Sequence, residues 1–145
     1  MANQQQIEQL LHQYEEDLSD VEDRLRMVAV TLKDALRAQG ELSYYYDTRK
    51  AELKRMVKVV DIEVAKVRAT KYRYYTEQYS RQLTDRAISN YVDFDPDYTS
   101  WALLAAATSA LYDKYSAASE AVTKRGFALR DLTSALVASI QDTVI

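Results

Sequence analysis

The chain has 145 residues, two glycines, one proline, no cysteine and a formal net charge of −3. That length suits one domain better than two, and so few turn formers exclude a sheet protein with many tight turns. The missing cysteines exclude disulfides, thiolate metal sites and cysteine catalysis, and fit a reducing compartment.

The first element is predicted over 1–39. Its apolar positions are Ile7, Leu11, Tyr14, Leu18, Val21, Leu25, Val28, Leu32 and Ala35, and their spacings alternate four and three. Such a seam is the signature of coiled-coil packing. The helix is acidic, with Glu8, Glu15, Glu16, Asp17, Asp20, Glu22, Asp23 and Asp34 set against Arg24, Arg26 and Lys33. The opening residues, MANQQQIEQ, show no basic segment followed by an apolar run, so no secretory leader is expected. Gly40 can end the helix as a C-terminal cap or be tolerated inside it at a cost of about 1 kcal/mol; because Gln39 and Gly40 break the seam, a turn is expected there.

The second element is predicted over 41–88. Leu42, Tyr46, Leu53, Met56, Val60, Val64 and Val67 share one side of a helix. Lys50, Lys54 and Lys58 recur every four residues on another side, and Arg68 and Tyr72 extend that row. Lys71 falls near the apolar seam. Either its stem lies along the seam with the ammonium outside, or the helix shifts or ends there. From Arg49 to Arg73, nine Lys and Arg face only Glu52, Asp61 and Glu63. An acidic chain with a basic centre can bind a polyanion locally.

An acidic loop is expected over 89–98, marked by Asn90, Pro96 and the trio Asp93, Asp95 and Asp97. The trio opens like a calcium loop, but Tyr98 and Leu104 stand where glycine and glutamate are required, so no metal site is expected. Acids preceding a helix N-terminus match the helix dipole. Thr99 or Asp97 can cap the last helix, predicted over 99–140. Its seam runs Trp101, Leu104, Thr108, Leu111, Tyr115, Ala118, Val122, Arg125, Leu129, Leu132, Leu136. Thr108 fits if its hydroxyl bonds a carbonyl one turn back. The run Trp101 to Leu111 is too short to cross a bilayer, and a soluble chain is expected.

The stretch from Arg49 to Arg73, with Lys50, Lys54 and Lys58, is the strongest candidate site, and its end carries the segment KVRATKYRYY, residues 66–75. This segment interleaves Lys66, Arg68, Lys71 and Arg73 with Tyr72, Tyr74 and Tyr75. Cations neutralise phosphates, and exposed rings stack with unpaired bases. The plain alternative is a solvated helix flank, with Lys58 paired to Asp61. His12 is the sole histidine, and no nucleophile–base pair, phosphate-cradling loop or cofactor site can be built, so a non-enzyme is expected.

Two long seams in a short chain argue for association with further copies or with another protein, the plain alternative being a monomeric three-helix bundle. The expected fold is all-α: long helices with coiled-coil-like seams, a helical hairpin plus a C-terminal helix. The runner-up is a coiled-coil structural or adaptor protein, such as a virion component or scaffold, without nucleic-acid binding.

The segment KRGFALRDL, Lys124 to Leu132, resembles the C-terminal motif of the UvsY-type recombination mediators of T4-like bacteriophages. Length and element order are also similar. That resemblance implies a protein of the host cytoplasm that binds single-stranded DNA as a hexameric or heptameric ring. Its further partners would be a RecA-like recombinase, which it loads, and the phage single-strand-binding protein that covers the DNA. The family's Lys-x-Arg element matches Lys71 and Arg73 or, one and a half turns earlier, Lys66 and Arg68. The neighbouring apolar residues and a following glycine are not reproduced here. The family's oligomerisation role maps onto Leu129, Leu132 and Leu136.

Overall fold

A computed structural model describes residues 3–27 and 31–143. Five helices follow in order: α1 Gln4–Leu18, α2 Val21–Leu25, α3 Leu32–Glu77, α4 Asp85–Asp93 and α5 Pro96–Thr143. No strand occurs among the described residues.

The chain forms two compact units. The first comprises residues 1–14 and 53–112, the second residues 15–52 and 113–145. Ile7, Leu11, Leu53, Val60, Ile88, Val92, Leu104 and Leu111 are the apolar core of the first. Ala35, Leu42, Tyr46, Tyr115, Ala118, Val122 and Leu129 are that of the second. The described seam positions through Leu129 are therefore buried or half-buried, as helix periodicity requires, while Leu132 and Leu136 are exposed. Thr108 keeps its place because its hydroxyl donates to the Leu104 carbonyl at 2.7 Å. Tyr46 is a packing residue, its ring 6.2 Å from that of Tyr115.

Three boundaries differ from the sequence expectation. The turn at Gly40 is absent, and α3 runs through it. A glycine inside a helix costs only about 1 kcal/mol, and buried Ala35, Leu42 and Tyr46 on either side hold the helix together. The break falls earlier instead. Ser19 Oγ donates to the Glu16 carbonyl at 2.6 Å where α1 ends. Thr31 caps α3, its Oγ1 accepting the Asp34 N–H at 3.2 Å. The long acidic helix is thus α1, α2 and the start of α3; Val28 of its seam lies outside the described residues.

The basic helix also ends sooner than expected, at Glu77. The linker is 78–84, and α4 begins behind Thr84, whose hydroxyl oxygen accepts the Ala87 N–H at 3.2 Å. Most of the expected acidic loop is helix, with only Phe94 and Asp95 between α4 and α5. The cap of α5 is neither Thr99 nor Asp97. Asp95 Oδ1 accepts the Asp97 N–H at 2.9 Å, and Pro96 occupies the first helical position, where its missing N–H costs nothing.

Candidate nucleic-acid interface

Helix geometry sorts the basic residues of α3 before any contact is considered. Successive residues are about 100° apart, so two residues in an x-y-x spacing diverge by roughly 200°. Lys71 and Arg73 therefore cannot serve one face of a continuous helix, nor can Lys66 and Arg68. The structure bears this out. Lys71 lies on the core side, 25% exposed, while Arg73 is 77% exposed and bonds Glu77 one turn on at 3.1 Å.

Lys71 is held by the start of α5. Its Nζ is 2.8 Å from the Asp97 carboxylate and 3.5 Å from that of Asp95. The hydrogen bond to Asp97 and the Asp95 charge keep its pKa above the ordinary lysine value. Asp95 is buried. Burial alone would raise its pKa, but the Tyr75 hydroxyl at 2.9 Å, the backbone N–H groups of Asp97 and Tyr98 and the Lys71 charge together hold it below the usual carboxylate value. Donation to Asp95 pushes the Tyr75 hydroxyl up. Lys71 and Tyr75 thus belong to a structural clamp, in which the helix runs on past Lys71 and its ammonium bridges buried Asp95 and the more open Asp97.

The other predicted cations fall into two groups. Lys66 pairs with buried Glu63 at 3.5 Å, and Arg68 pairs with Asp93 at 3.3 Å. Lys54 and Lys58 are exposed and carry no ion pair among the described residues, so the Lys58–Asp61 pair of the solvated-flank alternative does not form. Lys50 is half-buried on the stretch of α3 in the second unit.

One solvent-facing stripe of α3 remains. Lys54, Lys58, Ala65, Ala69, Tyr72 and Thr76 fall within an arc of about 60° on a helix. Ala65, Ala69, Tyr72 and Thr76, with Arg68, Arg73 and Glu77, line an open groove of about 560 Å³. Alanines form the floor, Tyr72 offers a half-exposed ring, and the two arginines stand on opposite flanks. Tyr74 is also exposed, but its ring makes an edge contact with Tyr75, 5.0 Å between centroids.

Sequence reading did not connect Asp93 and Tyr98 with Arg68, and it missed Tyr79 and Tyr91. Tyr98 holds Arg68 through its hydroxyl at 3.3 Å and its ring at 5.6 Å. Tyr79 and Tyr91 extend the ring cluster, Tyr91 stacking on Tyr75 at 5.5 Å and 23°. The YxxxY spacing of Tyr75 and Tyr79 was the available signal.

The residues of KRGFALRDL have mostly internal roles. Arg125 is buried and donates to the carbonyls of Leu25 at 3.3 Å and Ala35 at 3.1 Å and to Gln39 Oε1 at 2.7 Å. Burial lowers its pKa. Leu129 is 1% exposed within its own chain, so its expected oligomerisation role is corrected to a core role; Leu132 and Leu136 are 52% and 51% exposed.

No helix among the described residues is long and apolar enough to cross a membrane, and no His, Cys, Asp and Glu cluster among them could hold a metal ion. Comparison with protein-family models, curated proteins and solved structures gave no match.

Proposed function

We propose that this chain is a recombination mediator. It binds single-stranded DNA along the outer stripe of α3 and promotes loading of a RecA-like recombinase onto DNA covered by single-strand-binding protein, in the host cytoplasm. The observation that carries the DNA-binding part is the groove on α3, where one ring, Tyr72, lies between two cations, Arg68 and Arg73, over an alanine floor. A base stacks on the ring, and flanking phosphates meet the arginines and the lysine row of Lys54 and Lys58. The recombinase and the single-strand-binding protein come from the resemblance in KRGFALRDL and from nothing else.

A few phosphate contacts per chain give weak binding. Assembly of copies through α5 multiplies them by effective concentration. Its support is the exposed Leu132 and Leu136 on a helix whose last turns, from residue 134 to 142, are exposed throughout. Such a segment gains from a partner.

A second reading, a helical structural or adaptor protein, draws on one observation. Lys66, Arg68, Lys71 and Arg73 each pair with an acid of the same chain. Fluorescence anisotropy of a labelled oligo-dT, titrated with the full chain in rising salt, separates the two. The mediator binds at low salt, with log affinity falling at a slope of about −0.7 per neutralised phosphate. Absence of binding in dilute buffer, with assembly retained, selects the adaptor.

A further inference from the structure

The acidic corner between α4 and α5 treats its two cations differently. Lys71 is shut against buried Asp95 on the core side of α3. Arg68 stands on the flank of the outer groove, and its carboxylate partner, Asp93, is as open to solvent as Arg68 itself, each 49% exposed. The Asp93 side chain makes no hydrogen bond within α4 among the described residues; its contact to Thr99 is through the backbone carbonyl. Tyr98 also holds the guanidinium, its hydroxyl accepting from the same nitrogen that meets Asp93 and its ring lying 5.6 Å away.

A carboxylate presents a guanidinium with the same charged oxygen acceptors that a phosphate does. We propose that Asp93 is an internal phosphate mimic, an autoinhibitory gate that occupies Arg68 until a phosphate of single-stranded DNA displaces it. Tyr98 keeps Arg68 oriented toward the groove through the exchange. The pair is suited to release: exposed ion pairs are weak and screened by salt, and Asp93 caps nothing. Asp95 could not play this part, because it caps α5 and is buried. The proposal rests on the reading of α3 as a DNA-binding helix.

Asp93 and Asp97 make a matched comparison. Each carries one exposed carboxylate in the same corner, and each pairs with a cation of α3, but only Arg68 flanks the groove. D93N and D97N alter net charge equally. Oligo-dT binding is measured for the full chain, D93N and D97N across a salt series, with circular dichroism to verify that all three are equally helical. The gate predicts that D93N binds about two- to fivefold tighter than the parent, with a salt slope steeper by about 0.7, while D97N changes by less than half as much. Equal tightening by both variants, or no change in D93N, overturns the gate and leaves DNA binding standing. No binding by the parent or either variant overturns the DNA-binding reading itself.

Discussion

Gln39 of α3 occupies the space that a side chain at position 126 would fill. A Cβ built on Gly126 lies 2.9 Å from Gln39 Nε2. That nitrogen donates to the Val122 carbonyl at 2.8 Å, and Gln39 Oε1 accepts from Arg125 at 2.7 Å. One amide thus bridges the Val122 carbonyl and the Arg125 side chain, less than one helical turn apart, and glycine is what admits it.

The two glycines therefore respond oppositely to alanine, although both lie inside helices. Nothing approaches a Cβ at Gly40 within 4 Å, so Gly40→Ala gains helix propensity, about 1 kcal/mol. Gly126→Ala has the same propensity gain but displaces Gln39 from two hydrogen bonds, one of them to a charged group, and a net loss of about 1–2 kcal/mol is expected. Urea denaturation of the two variants measures the pair. A rise in stability for both would mean that Gln39 swings aside at no cost.

Arg125 is a buried cation held by two backbone carbonyls and an amide oxygen. Arg125→Met keeps most of the apolar stem and strips all three acceptors of their donor. Unsatisfied buried acceptors cost about 1–3 kcal/mol each, offset by no longer burying a charge. The expected net loss is about 3 kcal/mol, read as a lower urea midpoint. Arg125→Lys restores one donor direction but not the planar fork, and recovers only part of it.

Asp95 gives the first unit an acid limb. Its folded pKa is depressed, so its stabilising contribution is present above the unfolded value, about 3.9, and is lost as pH falls through the folded value. Asn can still cap α5 but does not titrate. The difference in unfolding free energy between the parent and Asp95→Asn should be constant above about pH 5 and shrink below about pH 4. Parallel curves down to the acid transition would remove Asp95 from that limb.

The buried faces were legible because periodicity is a backbone property. The three–four spacing from Leu104 to Leu129 gives one buried stripe, with Thr108 and even Arg125 inside it. The same arithmetic put Lys71 on the seam, where the structure has it. Helix ends were less legible. Gly40 drew the boundary wrongly because a breaker was weighed against local signals alone, and packing on both sides outweighed it. The caps at Thr31 and Thr84 were visible as T-x-x-D and T-x-x-A, but a continuous seam concealed the first. Spacing put Leu129 on the buried stripe but does not contain whether its own chain or a second copy covers it. Nor does spacing contain the partners of Arg68 and Lys71, which lie in the corner between α4 and α5, far along the sequence.

The apolar residues near the end of α5 separate folding from association. Leu129→Ala removes a side chain that is 1% exposed, and a cavity of that kind costs about 2–5 kcal/mol. Leu132→Ser with Leu136→Ser removes side chains that are half open to solvent in the single chain, and surface changes of that kind are expected to shift stability by no more than about 0.5 kcal/mol each. If α5 joins copies, the second variant lowers the native mass toward that of one chain while the far-ultraviolet spectrum at matched concentration keeps its helical form. The first variant lowers the thermal midpoint under conditions where the chains are already apart. Native mass spectrometry and thermal melts on both variants test the assignment. A double serine variant that assembles like the parent would place the contact elsewhere, and Leu132 and Leu136 would then be ordinary exposed residues of a long helix.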